Sequence, residues 1–299
     1  MQIAITGGTG FVGSWVLDEA AGYQLRALTR RDQAARDGVE WVRGTLDDAQ
    51  ALDALVSGAD AVIHIAGLTN TPDVREFETA NVTGTANVIA AMKRAKCKRL
   101  IFVSSLSARK PELSAYGASK ARAEALVEAS GLNWTSVRPP AVYGPRDDDM
   151  LELFKTAKWG FVPLPPGGAT SIIYVSDLAR LLLALTEHNT GKTTYEPDDG
   201  REGAWAHKEM AQAIGKSLGK SSVFAPHLPA SVLSAAAGAL KIVQGDKAKL
   251  TADRVGYMCH PNWVARSDRK PPETLWQPQI SGEEGFAKTA AWYIEEGWL

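Results

Sequence analysis

The chain has 299 residues, 45% of them apolar and 22% charged, with a formal net charge of −1. That is ordinary globular composition, long enough for one large domain or for one domain with a smaller appendage. Near-neutral charge leaves no global basic field to attract nucleic acid or an anionic membrane.

Met1 to Ile5 is a short apolar run, and a stretch with helical spacing follows Thr6-Gly7-Gly8-Thr9-Gly10-Phe11-Val12-Gly13. Gly7, Gly10 and Gly13 therefore stand where a first strand hands over to a first helix. In a dinucleotide site Gly7 permits the tight turn, Gly10 lets backbone approach a pyrophosphate, and Gly13 lets helix and strand pack closely. The helix N-terminus, at Phe11 and Val12, faces the phosphates with free N–H groups. Gln24 to Thr29 reads as the second strand, and Arg30-Arg31 follows it. NAD sites place a carboxylate here for the adenosine ribose. Two arginines instead suit a 2′-phosphate, so the sequence predicts NADP, with NAD the lesser alternative. The competing reading is two solvated arginines, with Asp32 available to pair with one of them.

Val39 to Arg43 reads as a third strand and Ala49 to Val56 as a helix stopped at Gly58. Ala61 to Ala66 is a continuous apolar run, as in a strand buried on both faces. A long helix is expected around Phe77 to Arg94, a buried strand at Leu100 to Val103, a helix from Ser114 to Ser130 and a strand at Thr135 to Arg138, ended by Pro139-Pro140. This alternation predicts an α/β fold of Rossmann type, a doubly wound parallel sheet with right-handed crossovers and a ligand crevice at the strands' carboxyl ends.

After about residue 145 the rhythm loosens, and Gly160 to Gly168 reads as a loop. Helical patterns return at Asp177 to His188, Lys208 to Leu218, Pro229 to Val243 and Gly285 to Trp298. The expected organisation is a dinucleotide-binding domain at 1–160, with 171–190 returning to it. A smaller, interleaved C-terminal α+β substrate lobe then covers 161–299. Leu228 to Val243 is apolar and alanine-rich but too short to span a bilayer. It is expected to pack as a helix near the substrate pocket, with contact to a membrane surface the lesser alternative. The strand-like start leaves no room for a signal peptide. Two cysteines, Cys97 and Cys259, lie far apart without metal-ligand spacing, which predicts no metal and a reducing, cytoplasmic compartment.

Tyr116 and Lys120 are four residues apart and share one helix face. The preceding strand ends in Ser104-Ser105, at the crevice edge. A tyrosine titrates near 10, and a neighbouring ammonium stabilises its phenolate, bringing acid–base chemistry within reach of neutral pH. A serine beside it can hold a carbonyl oxygen while hydride arrives from a nicotinamide.

These residues together resemble the extended short-chain dehydrogenase/reductase family, which includes the NAD(P)-dependent epimerase/dehydratases, over nearly the whole chain. Thr6 to Gly13 fits its glycine motif, and His64-Ile65-Ala66-Gly67 the strand that lines the cofactor. Asn81 to Thr85 fits its central helix, Ser105 its catalytic serine, and Tyr116 with Lys120 its Tyr-x-x-x-Lys pair. Arg138 to Pro145 fits the segment closing over the nicotinamide, while Tyr174 to Ala179 and Trp292 to Leu299 resemble downstream segments. The resemblance implies catalytic roles for Ser105, Tyr116 and Lys120, and a water relay or a structural role for Asn81. It implies cofactor contacts from Ala66, Gly67, Ser104, Lys120, Pro139 and Val142, and a homodimer through the two long central helices.

Two departures count. Gly44 is followed by Thr45 rather than an acid, leaving Asp47 nearby for the adenine. Ala169 to Ile173 lacks the arginine that sugar-nucleotide members use for a diphosphate, with Arg201 and Arg266 the remaining candidates. The expected activity is NADP-dependent hydride transfer at a carbonyl or secondary alcohol of a mostly apolar small molecule. In pattern it is similar to the dihydroflavonol reductase and 3β-hydroxysteroid dehydrogenase branch. The alternatives are a sugar-nucleotide epimerase or dehydratase, and a non-catalytic dinucleotide-binding regulator or accessory subunit. Selectivity would be set by the loops Leu68–Val74, Leu106–Ser114, Pro140–Arg146 and Gly200–Ala225.

Overall fold

The computed structural model describes residues 1–299, the side chain of Lys247 excepted. Two compact units divide the chain. The first comprises Met1–Arg138, Leu178–Glu196 and Pro271–Trp276; the second comprises Pro139–Asp177, Pro197–Lys270 and Gln277–Leu299. The boundary thus falls at Arg138 rather than at 160, because Pro139-Pro140 ends the strand and takes the chain out of the sheet. The returning segment is Leu178–Glu196 rather than 171–190.

In the first unit the strands are β1 (Gln2–Thr6), β2 (Gln24–Thr29), β3 (Val39–Arg43), β4 (Ala61–His64), β5 (Arg99–Val103), β6 (Asn133–Val137) and β7 (Thr193–Tyr195). They form one sheet in the order β7-β6-β5-β4-β1-β2-β3, parallel throughout. The order reverses between β1 and β4, where Ile3 pairs with Ala61 and Thr6 with His64. Ligands of doubly wound sheets bind at such a switch point.

The helices are α1 (Phe11–Glu19), α2 (Ala49–Val56), a long α3, α4 (Ala115–Ala129) and, from Leu178 onward, α5 (Val175–Glu187). In α3, Arg75–Phe77 and Gly84–Ala95 are joined by a π-helical turn at Glu78–Thr83, where the Gly84 N–H reaches the Thr79 carbonyl. Leu52, Leu55 and Val56 of α2 and Val88 and Met92 of α3 bury against Val62, Leu100 and Phe102. Each helix therefore contributes one apolar stripe to the sheet.

The second unit has α+β character. Ala141–Tyr143 pairs with Ile172–Tyr174, and Ala169–Thr170 lies between Trp205–Ala206 and Asn262–Trp263. Its helices are Leu151–Lys158, His207–Ser217, Ala230–Gln244, Ala252–Met258 and Gly282–Glu295. An aromatic core holds it: the Phe286 ring lies 4.8 Å from Tyr143 and 5.5 Å from Trp205, and Phe154 lies 5.2 Å from Tyr293. The apolar Ala230–Gln244 helix departs from the expected packed helix. It buries only Leu233 and Ala237, against Leu228, Leu250, Val255 and Cys259, and leaves Ile242 and Val243 more than 80% exposed.

Candidate active site

The glycine turn is built as tightly as its spacing requires. Gly7 has φ +80°, and a Cβ on it would come within 2.7 Å of the Ala66 nitrogen. A Cβ on Gly13 would lie 2.0 Å from the Gly7 carbonyl oxygen, so α1 packs directly on the turn. Gly10 is different. It has ordinary extended backbone and a Cβ there would meet only the Gly7 oxygen, at 3.3 Å. Open space therefore lies over Gly10, in front of an α1 N-terminus that no side chain caps. The first-turn N–H groups at Phe11 and Val12 have no intrahelical acceptor, and with the helix dipole they form an anion site that fits a dinucleotide pyrophosphate.

Behind this turn runs a chain of buried hydrogen bonds. His64, in an otherwise apolar strand, bridges β1 and α3: Nδ1 lies 2.6 Å from Thr6 Oγ1 and Nε2 2.9 Å from Thr85 Oγ1. Thr85 donates its own proton to the Asn81 carbonyl, so Nε2 carries the imidazole proton and Nδ1 accepts from Thr6. Thr6 Oγ1 in turn accepts the Ala66 N–H at 3.3 Å. Burial and the charge on Lys120 push the His64 pKa down to about 3, so the ring stays neutral. Unfolded, it takes a proton near 6.5. Its contribution to stability is therefore present above about pH 6.5 and lost as pH falls towards 3. Urea midpoints between about pH 7 and pH 5 should fall for the native protein, and His64→Gln should flatten that slope.

Asn81 lies in the π turn, a feature enriched at functional sites. Its side chain clamps the loop after β4: Oδ1 accepts the Leu68 N–H at 2.7 Å and Nδ2 donates to the Leu68 carbonyl at 3.0 Å and to Ser119 Oγ at 2.9 Å. Ser119 Oγ donates to the Tyr116 carbonyl, which ties α3 to the helix carrying Tyr116 and Lys120. A Cβ on Gly67 would lie 2.7 Å from Asn81 Oδ1 and 4.0 Å from Lys120 Nζ, so these three positions converge. Lys120 is buried. Its ammonium donates to the Val103 carbonyl at 2.7 Å and sits 4.7 Å above the Phe102 ring. Desolvation lowers its pKa to about 8, against the pull of Glu124 one turn on. Tyr116 is 9% exposed, with its ring 5.8 Å from Phe77.

At the end of β5 the two serines differ. Ser104 is buried and its Oγ has no hydrogen-bond partner among the described residues. Ser105 is half-buried; its Oγ accepts the Ser107 N–H at 3.1 Å and lies 3.2 Å from Ser107 Oγ. At the far edge, Arg30 and Arg31 are exposed beyond β2, and the turn is fixed by Thr29 Oγ1 donating to the Arg31 carbonyl. Asp32 pairs with neither. It meets Arg43, the β3 residue in register with Thr29, at 3.1 Å. Near the expected adenine position Asp47 donates its N–H to Thr45 Oγ1 while Asp48 caps α2. Pro139 and Val142 belong to the second unit, where Val142 pairs with Ile173. No group of three or more His, Cys, Asp or Glu that could hold a metal occurs among the described residues.

His64 and Thr85 are legible in the sequence only as members of their motifs, without these bonds, and Ser119 carries no sequence signal of its role. A histidine inside an apolar strand was the available signal for the first.

Residues 3–196 match the model of the NAD dependent epimerase/dehydratase family. The chain belongs to that family and is an NAD(P)-dependent enzyme of the extended short-chain dehydrogenase/reductase type. It is 34% identical to the ceramide reductase of Caulobacter vibrioides, over 99% of this chain and 96% of that one. It is 31% identical to the 4-hydroxy-2-methyl-3-oxo-4-farnesyl-3,4-dihydroquinoline-1-oxide ketoreductase of Stigmatella aurantiaca, over 67% and 69% of the two chains. Among solved structures it is similar to MoeE5 in complex with UDP-glucose and NAD, with TM-score 0.76 at 20% identity over 99% of each chain. That last likeness is one of fold.

Proposed function

We propose that the protein is an NADP-dependent reductase of a ketone, or dehydrogenase of the corresponding secondary alcohol, on a small molecule with a large apolar part. The observation that carries the chemistry is the convergence of Asn81, Gly67 and the buried Lys120 ammonium on the helix of Tyr116. A bound reduced nicotinamide supplies the hydride. Tyr116 gives its phenolic proton to the substrate oxygen as the carbonyl carbon is reduced. Lys120 stabilises the phenolate left behind and binds the nicotinamide ribose, and its lowered pKa of about 8 keeps proton exchange accessible near neutral pH. Asn81 holds the loop and helix that set this geometry.

Ser105 is assigned the substrate oxygen because the residue is half-buried, whereas the hydroxyl of Ser104 is enclosed. Ser105→Ala should lower turnover more than cofactor affinity, and Ser104→Ala should leave turnover near wild type. The reverse pattern in steady-state kinetics would move the role by one residue.

The relatives' names favour an apolar substrate: ceramide and a farnesylated quinoline, and the 2-alkyl-3-oxoalkanoate of a 29% identical reductase from Stenotrophomonas maltophilia, join a polar or oxo group to alkyl chains. The sugar-nucleotide reading is weakened by its candidate cations. Arg201 pairs with Glu209 and Glu283 and stacks on Trp205, and Arg266 pairs with Asp268. A cytoplasmic dimer through α3 and α4 belongs to the same reading.

Cofactor choice rests on Arg30 and Arg31, with Arg43 close by in register. Titration of the protein with both cofactors should show tighter NADP binding. Arg30→Ala should weaken NADP about tenfold or more, the worth of a hydrogen bond to a charged group, and leave NAD nearly unchanged. Equal or tighter NAD binding by the native protein contradicts this choice.

A further inference from the structure

The second unit presents a cluster of large apolar side chains that its fold does not use. Phe161 and Phe224 lie with ring centroids 6.0 Å apart, and Trp159 stands two residues before Phe161, 86% exposed. The backbone beneath them is fixed: Val162 donates to the Phe224 carbonyl at 2.9 Å, Phe224 to Gly160 at 2.8 Å and Leu164 to Pro226 at 3.0 Å. Strand alternation then sets the faces. Val162, Leu164, Val223 and Ala225 point inward and are buried, while Phe161 and Phe224 point out, Phe224 68% exposed. Aromatic residues therefore occupy the outward positions of a hydrogen-bonded two-stranded ladder, where small polar ones would serve the fold as well.

The two segments that the ladder joins differ in charge from the chain as a whole. The chain as a whole is balanced, yet neither 153–176 nor 210–245, the two segments the ladder joins, contains a single Asp or Glu, while they carry Lys155, Lys158, Lys216, Lys220 and Lys241. Lys155 is engaged by Glu152 and Lys216 lines a cleft with Glu209 and Glu283; Lys158 and Lys220, which flank the aromatic residues in sequence, are exposed. The second segment continues into the Ala230–Gln244 helix. There Val232, Ala235, Ala239 and Ile242 recur at helical spacing on one exposed stripe, opposite the buried Leu233 and Ala237.

We propose that this face docks on an anionic lipid surface. Exposed Trp and Phe beside Lys158 and Lys220, on segments without an acid, match the composition of an interfacial membrane-binding element. A leaflet of acidic phospholipids is the complement of such a face. A second copy of this chain is not, because a two-fold contact would set lysine against lysine. No helix among the described residues is long and apolar enough to cross a membrane, so attachment is peripheral. The docking does not depend on the catalytic reading.

Flotation of the full chain with phosphatidylcholine vesicles, with and without phosphatidylglycerol, tests the docking without any use of turnover. Binding should require phosphatidylglycerol and be released by high salt. A lysine near an anionic leaflet is worth about fivefold in partition, so Lys158→Glu with Lys220→Glu should lower binding well over about tenfold. Trp159→Ser with Phe224→Ser should abolish it. Both pairs are exposed, and their circular dichroism and cofactor affinity should match the native protein. Absence of flotation overturns the proposal, as does flotation unchanged in both variants. So does sedimentation showing a dimer in solution that Phe224→Ser dissociates.

Discussion

Tyr116→Phe is expected to keep cofactor affinity and lose about a hundredfold to ten-thousandfold in turnover, the range a general acid–base group supplies. The substitution removes one oxygen. The ring it leaves is nearly enclosed, 5.8 Å from Phe77, on a helix capped by Ser114 and tied to Asn81 through Ser119. Packing and fold should therefore survive, and the lost rate reports the proton. Steady-state kinetics alongside cofactor titration make the check. Turnover close to wild type would remove Tyr116 from the chemistry.

Gly13→Ala is expected to damage stability and cofactor binding together. The added Cβ would lie 2.0 Å from the Gly7 oxygen, 2.7 Å from the Gly7 carbonyl carbon and 2.8 Å from Gly8 Cα. All three are backbone atoms, so no rotamer change relieves the overlap and α1 must move off the turn. Overpacking of this kind costs about 1–3 kcal/mol, and the distorted turn should bind the cofactor about tenfold to a hundredfold more weakly by the same energy. Gly10→Ala provides the contrast. Its backbone is already extended and its Cβ would meet a single oxygen at 3.3 Å, so stability should hold while the methyl group blocks the approach of the pyrophosphate. Thermal melts and cofactor titration of both variants separate the roles. Equal behaviour of the two would contradict the assignment of the open side to the phosphates.

Much of the first unit was legible from pattern alone. Gln24–Thr29, Val39–Arg43 and Ala49–Val56 form over the spans their residues predict, because apolar runs and a Gly58 stop are local signals. The run Ala61–Ala66 is shorter as a strand, ending at His64, since Ala66 turns over the Gly7 cradle. The π turn at Glu78–Thr83 leaves no mark in a 3.6-residue pattern, which reads straight through it. The short Leu151–Lys158 and Ala252–Met258 helices were missed; the N-terminal signal for the first is Asp147, whose carboxylate accepts from Asp149 and Met150. Composition also could not say which side of Ala230–Gln244 is covered, because that helix is apolar on both. Within the site, Tyr116, Lys120 and the glycines announce themselves by spacing, whereas the His64–Thr85–Asn81–Ser119 chain joins residues far apart in sequence and needs the fold.

Ketone reduction with NADPH leaves the cofactor's hydride on the product carbon, so transfer of label tests it. The protein is incubated with NADPH deuterated at the nicotinamide C4 and a long-chain 3-oxo compound, and in parallel with UDP-glucose and NAD. NADPH should be lost in step with the appearance of deuterium on the new carbinol carbon, with UDP-glucose unchanged. Interconversion of UDP-glucose with its 4-epimer, and no NADPH loss with the ketone, would contradict it.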